Sequence, residues 1–325
     1  MINSSNKIDK PFKINKHMKR INTFLMTLAL ALFVSAGAFA QDMTAATETF
    51  NKAKDAFTAG NETEAIAGFN EAMKLASAAG EEGKQMVTDC KDIIPKIYFQ
   101  EANKKLTAKD YTGALDDLKN AVAKAKEYGG TETAENAGDL IPQITMILGD
   151  NALNEKNFTE AVAKYKETLE YTPNDGNAFL RLGMAYAASG DEASAEDAYT
   201  KAKANGNADA ANKQLSTMYF NKLAAAYQSK NYSAAIAAAE KVNEFGANPQ
   251  ASLYGGMAAA NMKNYAKAIT LLKKAQQNST TFYYLATSYE KSGSTANACV
   301  YYKKILNDKQ FGAFAKSKIA ALKCK

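Results

Sequence analysis

Histidine is nearly absent from this chain: its one copy, His17, lies close to the N-terminus. From residue 18 onward there is no imidazole, so Ser–His and Cys–His nucleophile pairs and histidine-ligated metal sites are excluded. There is also no Cys-x-x-Cys pair, no glycine-rich phosphate loop leading to a basic residue, and no acidic cluster with calcium-loop spacing. Acidic neighbours such as Asp116-Asp117 and Glu81-Glu82 read as solvated helix faces. Tryptophan is missing and there are only 5 prolines in 325 residues, against abundant alanine, which favours helix over sheet. Hydrophobic residues make up 46% and charged residues 23%, a balance that supports a packed core and argues against wholesale disorder. Charge of one sign is scarce as well. The formal net charge of +6 is concentrated in residues 1–40, which carry Lys7, Lys10, Lys13, Lys16, Lys19 and Arg20 against Asp9. The remainder is close to neutral and gives no electrostatic reason to expect nucleic acid or anionic lipid as a partner. No metal, cofactor or catalytic residue is expected.

Long apolar runs are confined to one place. Lys19-Arg20 precedes the apolar stretch Phe24–Val34, and Ala38-Phe39-Ala40 has the small-x-small form of a cleavage site. Residues 1–40 therefore read as a signal peptide cut before Gln41, with Met18 an alternative to Met1 as the start. The competing reading is a membrane anchor, but the apolar run is short and ends in small residues. No cysteine follows it, so a lipoprotein anchor is not expected. The rest should be periplasmic or secreted, with no membrane span.

What the sequence does have is internal repetition. Lys109-Asp110-Tyr111-Thr112-Gly113-Ala114-Leu115 recurs as Lys156-Asn157-Phe158-Thr159-Glu160-Ala161-Val162, as Lys230-Asn231-Tyr232-Ser233-Ala234-Ala235-Ile236, and as Lys263-Asn264-Tyr265-Ala266-Lys267-Ala268-Ile269. Gly60-Asn61, Gly190-Asp191 and Gly293-Ser294 give a glycine version of the same turn. On these residues the chain resembles the tetratricopeptide-repeat family, whose unit is a helix–turn–helix of about 34 residues. The family pattern has large residues at positions 4, 11 and 24, small ones at 8, 20 and 27, and often Gly at 15. The unit starting at Gly176 matches best, through Phe179, Leu182-Gly183, Tyr186, Gly190, Ala195, Tyr199 and Ala202. Units starting at 46, 95, 142, 216, 249 and 279 complete the set, the first two being long. Position 16, where the second helix begins, reads Asn61, Asp110, Asn157, Asp191, Asn231, Asn264 and Ser294, all preferred N-cap residues. Pro95 and Pro142, 47 residues apart, each suit the first turn of a helix. Inserts around Gly80–Gly83 and Gly129–Gly138 are expected to lengthen helices and loops.

The resemblance implies an all-α, right-handed superhelical solenoid of about seven units with a C-terminal closing helix. Its segments would be residues 41–141 (long units), 142–310 (regular units) and 311–325 (closing helix). It also implies a concave wall built from first helices. Carried over position by position, that wall offers Met146, Asp150, Asn154, Asn177, Leu180, Arg181, Met184, Phe220, Tyr227, Leu253, Met257, Asn261 and Tyr283. Methionine and aromatics adapt well to peptide partners. A protein or peptide partner in an envelope assembly is the first reading; a glycan or cell-wall fragment stacked on exposed tyrosines is the alternative, and a wall that binds nothing specific is the third. A coplanar platform of Tyr227, Tyr283 and Tyr284 would favour sugar. The leader and the abundance of Lys, Asn and Tyr resemble exported Bacteroidota proteins. Of three cysteines, Cys299 and Cys324 fall beside each other if the closing helix runs antiparallel to its neighbour, which predicts a disulfide and leaves Cys90 as a free thiol. The alternative is three free thiols packed as small hydrophobes.

Overall fold

The computed structural model describes residues 40–325, with side chains from Met43 onward. The expected leader falls outside the described residues, and nothing in the structure bears on its cleavage. All regular structure among the described residues is helical. The chain divides into a compact unit ending at Cys90 and a second running from Lys91 to Lys325.

The first unit contains α1 (Ala40–Thr58), α2 (Glu62–Ala78), a 3-10 turn at Gly80–Gly83 and the start of α3 (Lys84–Thr107). Phe50 of α1 meets Phe69 of α2 edge to face, with ring centroids 5.1 Å apart. Gly83 touches the backbone of Ala76 so closely that any Cβ would collide with it, which explains why this insert ends in glycine. Cys90 is free and buried. Burial, aided by the charge of Asp89, pushes its thiol up to about 12, so it packs as a small un-ionised side chain.

The second unit continues α3 and adds α4 (Tyr111–Tyr128), α5 (Thr131–Gly138), α6 (Ile141–Asn154), α7 (Phe158–Tyr171), α8 (Gly176–Ser189) and α9 (Glu192–Ala204). It then runs through α10 (Ala208–Gln228), α11 (Tyr232–Phe245), α12 (Pro249–Asn261), α13 (Tyr265–Leu272), α14 (Ser279–Lys291), α15 (Thr295–Lys304) and α16 (Gly312–Ala321). Two expectations change. Pro95 does not open a helix; it lies inside α3. The stripe Ile93, Ile94 and Ile97 is buried around it, and that burial outweighs one lost backbone hydrogen bond. The second insert does not merely lengthen its neighbours but forms the short helix α5, while Pro142 does sit in the first turn of α6.

One turn module joins the two helices of every repeat. All seven position-16 residues are N-caps. In five of them the side chain accepts from a backbone N–H three residues on: Asp110, Asn157, Asp191, Asn231 and Asn264. The same residue closes the previous helix, because its own N–H donates to a carbonyl five residues back, as in Asn157 to Ala152 at 2.8 Å and Asp191 to Tyr186 at 2.9 Å. That double role needs the residue between to be left-handed. Gly60, Gly190 and Gly293 are, with φ of 82° to 86°, and so are Lys109, Lys156, Lys230 and Lys263, with φ of 59° to 63°. The lysine and glycine versions are thus one geometry.

Within a unit, a small residue at position 8 lies beneath a large one at position 24. A Cβ added at Gly149 would lie 2.6 Å from the ring of Tyr165, at Gly183 2.6 Å from that of Tyr199, and at Gly256 2.6 Å from Leu272. Ala286 and Tyr302 share one buried cluster at the same two positions, and Ala102 and Leu118, which hold them in an earlier unit, are both fully buried. The unit from residue 216 inverts it, with Leu223 at position 8 and Ala239 at position 24 in one cluster.

The end of the chain is tied down three ways. Cys299 and Cys324 form a disulfide, with Cα atoms 5.6 Å apart. Lys318 of α16 pairs with Glu290 of α14 at 2.6 Å, and Tyr302 donates to the same carboxylate. Burial alone would raise the Glu290 carboxyl, but those two donors outweigh it and hold it below the usual carboxylate range. Closing the 25-residue separation with a disulfide stabilises by roughly 3 kcal/mol on a chain-entropy estimate.

Two substitutions separate the packing contact from the turn. Gly183→Ala should cost about 1–3 kcal/mol by forcing the Tyr199 ring outward. Lys156→Gly should be neutral or stabilising by up to about 1 kcal/mol, because it relieves a left-handed non-glycine residue. Urea unfolding midpoints measure both, and the two changes should move in opposite directions.

Candidate functional site

The first helices of successive units lie side by side: α6 touches α8, α8 touches α10, α10 touches α12, and α12 touches α14. No comparable row of second helices forms among the described residues. The first helices thus form one continuous row in this unit. The thirteen wall residues drawn from the sequence are all half-buried or exposed. None is core, but they differ in how free they are.

At the α6–α8 end the wall is committed internally. Asp150 accepts from the Tyr165 hydroxyl at 2.7 Å and forms an ion pair with Arg181, the one arginine among the described residues. Each side chain of that pair is 19% exposed. Burial, then the hydrogen bond and charge of Asp150, drive the Tyr165 phenol far above its ordinary range. Arg181 and Asp150 therefore neutralise each other and join two units. Asn177 accepts from Asn207 at 2.8 Å, and Asn261 donates back to Met257 of its own helix at 3.0 Å. Met146 packs against the cluster around Tyr165, while Leu180 and Met184 lean on the cluster around Tyr199. Asn154 is exposed.

The α10–α12–α14 end is different. Phe220 and Tyr227 of α10 both meet Tyr254 of α12, at 6.5 and 5.3 Å and angles of 73° and 63°. Tyr227 also meets Tyr232 at 5.8 Å and 62°, and Tyr283 meets Tyr284 at 5.3 Å and 86°. Burial, followed by the nearby phenols of Tyr284, Tyr232 and Tyr254, raises the Tyr227 hydroxyl; burial, then Tyr283 and Tyr232, raises that of Tyr284. Two ring sets result: Phe220, Tyr227, Tyr232 and Tyr254 in one, Tyr283 and Tyr284 with Phe311 and Phe314 in the other. The tyrosines within each meet edge to face, so no flat coplanar platform exists. Tyr283 has one face covered, because Phe311 stacks on it at 4.6 Å and 19°. Leu253 packs with the cluster beneath α14.

Tyr254 escaped the sequence reading, and Tyr284 was weighed only as part of a sugar platform. Both occupy position 6 of their units, as does Arg181. The signal was present: three units place a large polar-tipped side chain there. Apart from Arg181, position 6 lies outside the wall that the resemblance implies.

No group of three or more His, Cys, Asp or Glu side chains placed to hold a metal occurs among the described residues. No described helix is long and apolar enough to cross a membrane.

No family model matches the sequence, and no curated protein matches it. Solved structures do resemble it. MamA protein is 22% identical, with a TM-score of 0.33, over 54% of this chain and 96% of that one. A tetratricopeptide repeat protein from Parabacteroides merdae is 13% identical, with a TM-score of 0.27, over 86% and 99%. PilW, described as a widely conserved type IV pilus biogenesis factor, is 13% identical, with a TM-score of 0.27, over 69% and 97%. Likeness at this level says nothing about partners.

A double-mutant cycle tests whether the α6–α8 end is structural. Arg181→Met alone should cost roughly 2–4 kcal/mol by leaving a largely buried carboxylate with one partner. Adding Asp150→Asn should recover part of that loss, a coupling of 1 kcal/mol or more on the order expected for neighbours. Denaturant unfolding of the four proteins gives the coupling directly.

Proposed function

We propose that this tetratricopeptide-repeat chain is an exported, non-catalytic scaffold that holds a peptide or protein partner on the α10–α12–α14 end of its first-helix wall, within a cell-envelope assembly. The observation that carries the reading is the contrast between the two ends of the wall. The Asp150–Arg181 end is spent on internal pairing, while the aromatic end keeps half-buried rings with no such commitment. Partly exposed aromatic and methionine side chains, already ordered by their neighbours, are what adaptable protein interfaces use. The edge-to-face ring packing counts against a sugar platform, which needs an open ring face. A disulfide between Cys299 and Cys324 suits an oxidising compartment and supports export. The Bacteroidota-like composition agrees with an envelope setting.

Met257 is the most direct probe, since it is half-buried on a first helix and is not among the side chains of the two clusters that flank α12. Met257→Asp should abolish capture of the native partner from envelope extract while leaving the melting temperature within about 2 °C. Leu180 and Met184 are poorer probes, because they also support the Tyr199 cluster. Capture that survives Met257→Asp unchanged contradicts the proposal.

A further inference from the structure

The near-neutral charge beyond residue 40 is the sum of two unlike parts. Residues 41–272 carry 24 basic against 31 acidic side chains, a net −7, while residues 273–325 carry ten lysines against Glu290 and Asp308, a net +8. Net neutrality therefore does not exclude an anionic partner for this end of the chain. Ion pairs occupy eleven of the 20 cations between Lys91 and Leu272. Of the last ten, only Lys318 is so paired, with Glu290. Asp308 is spent on the backbone N–H groups of Gln310 and Phe311. The other nine lysines have no side-chain carboxylate as partner among the described residues.

Contacts hold these lysines in one block. The Cys299–Cys324 disulfide and a hydrogen bond from Lys303 to the main-chain oxygen of Lys325 fix the tail on α15, and Lys318 fixes α16 on α14. The segment just past α13 joins through rings. The Lys273 ammonium lies 5.9 Å from the Tyr289 ring, Tyr289 stacks on Tyr301 at 5.6 Å and 9°, and the Lys304 ammonium lies 5.0 Å from Tyr301. Like charges gathered without counter-charge repel one another, a cost that an external anionic surface removes.

Apolar surface is exposed in the same block. Val300 is 51% exposed, and Lys303 and Lys304 follow it by one turn on the same face of α15. Phe314 of α16 is 39% exposed, with the Lys318 ammonium 5.6 Å from its ring. An apolar side chain flanked by lysines suits the boundary between lipid headgroups and acyl chains, where the methyl or ring enters and the ammonium stays with the phosphates. The kind of cation agrees. None of the ten is arginine, whose planar fork fits a fixed bidentate anion; lysine is a point charge on a flexible stem. Lysines spread over three helices and a tail match a fluid surface whose anions move to meet them better than a protein with fixed carboxylates. The disulfide in this block suits an oxidising compartment, where lipid headgroups rather than nucleic acid are the anions at hand.

We infer that the block from Lys273 to Lys325 is a docking surface for an anionic phospholipid bilayer, its lysines on headgroup phosphates and Val300 in the boundary beneath them. The inference goes beyond the groove reading and shares with it only the exported setting.

Vesicle co-sedimentation tests it, using the chain from Gln41, which holds both described units and omits the basic leader. Phosphatidylcholine vesicles with roughly 30% phosphatidylglycerol should take up the protein about tenfold or more better than phosphatidylcholine alone. The excess should vanish as salt rises to about 1 M and the Debye length falls to about 3 Å. Lys309→Gln, Lys316→Gln and Lys323→Gln together should weaken uptake about tenfold or more, since one lysine near such a surface contributes about fivefold. Lys126→Gln, Lys213→Gln and Lys230→Gln remove as much charge elsewhere and should change uptake by less than about twofold. Val300→Ser should weaken it roughly two- to fivefold with an unchanged melting temperature. No preference for the anionic vesicles, equal effects of the two triple variants, or indifference to Val300→Ser overturns the inference. Displacement by inorganic phosphate beyond that by chloride at equal ionic strength also overturns it, by marking a phosphate site. So does a salt-reversible dimer, broken by the first triple variant, in protein that ignores vesicles, which assigns the block to a second copy. Failure on any of these counts leaves the groove reading standing, because Met257 lies outside the block.

Discussion

The contact between a small residue on each first helix and a large residue on its partner sets the rest of the structure. A Cβ at Gly149, Gly183 or Gly256 would lie 2.6 Å from the side chain opposite, so the two helices are as close as backbone allows. That closeness lets Tyr165, Tyr199 and Leu272 bury against backbone rather than against another side chain. Each repeat is too thin to bury its apolar surface alone, and stacking completes the core. The inversion at Leu223 and Ala239 shows that the requirement is complementarity of volume, not glycine as such.

The turn converts that packing into a repeat. One residue ends a helix with its N–H and begins the next with its side chain, and the residue before it is left-handed whether it is Gly190 or Lys156. Lysine in that conformation costs on the order of 1 kcal/mol. It is tolerated because the turn's hydrogen bonds and the packed helices on either side over-determine the geometry. Four of the seven turns carry this strain, a small reserve of stability distributed along the chain. The disulfide, the Lys318–Glu290 pair and the Phe311–Tyr283 stack hold α16 and the segment before it against the α14–α15 repeat.

Much of this was legible in the sequence because it is local. The N-caps from Asn61 to Ser294, the paired turn motifs and the alternation of small and large residues are short-range signals that survive without knowledge of the fold. Pro95 misled because a single residue's preference for a helix start gave way to burial of the isoleucines around it. The insert at 131–138 was too short to announce itself as a helix. The wall was only half readable. Asp150 and Arg181 are 31 residues apart, and their pairing depends on how adjacent units stack, which no local pattern encodes. Tyr254 likewise meets Tyr227 only through that stacking.

The central claim is that position 8 of each first helix lies under position 24 of its partner. Two-dimensional NOE spectroscopy tests that register directly. The account predicts strong cross-peaks from the Gly183 Hα protons to the Tyr199 ring and from Gly149 to the Tyr165 ring, with both glycine Hα resonances shifted by ring current. Cross-peaks from these glycines to other rings, or none to any ring, would contradict it.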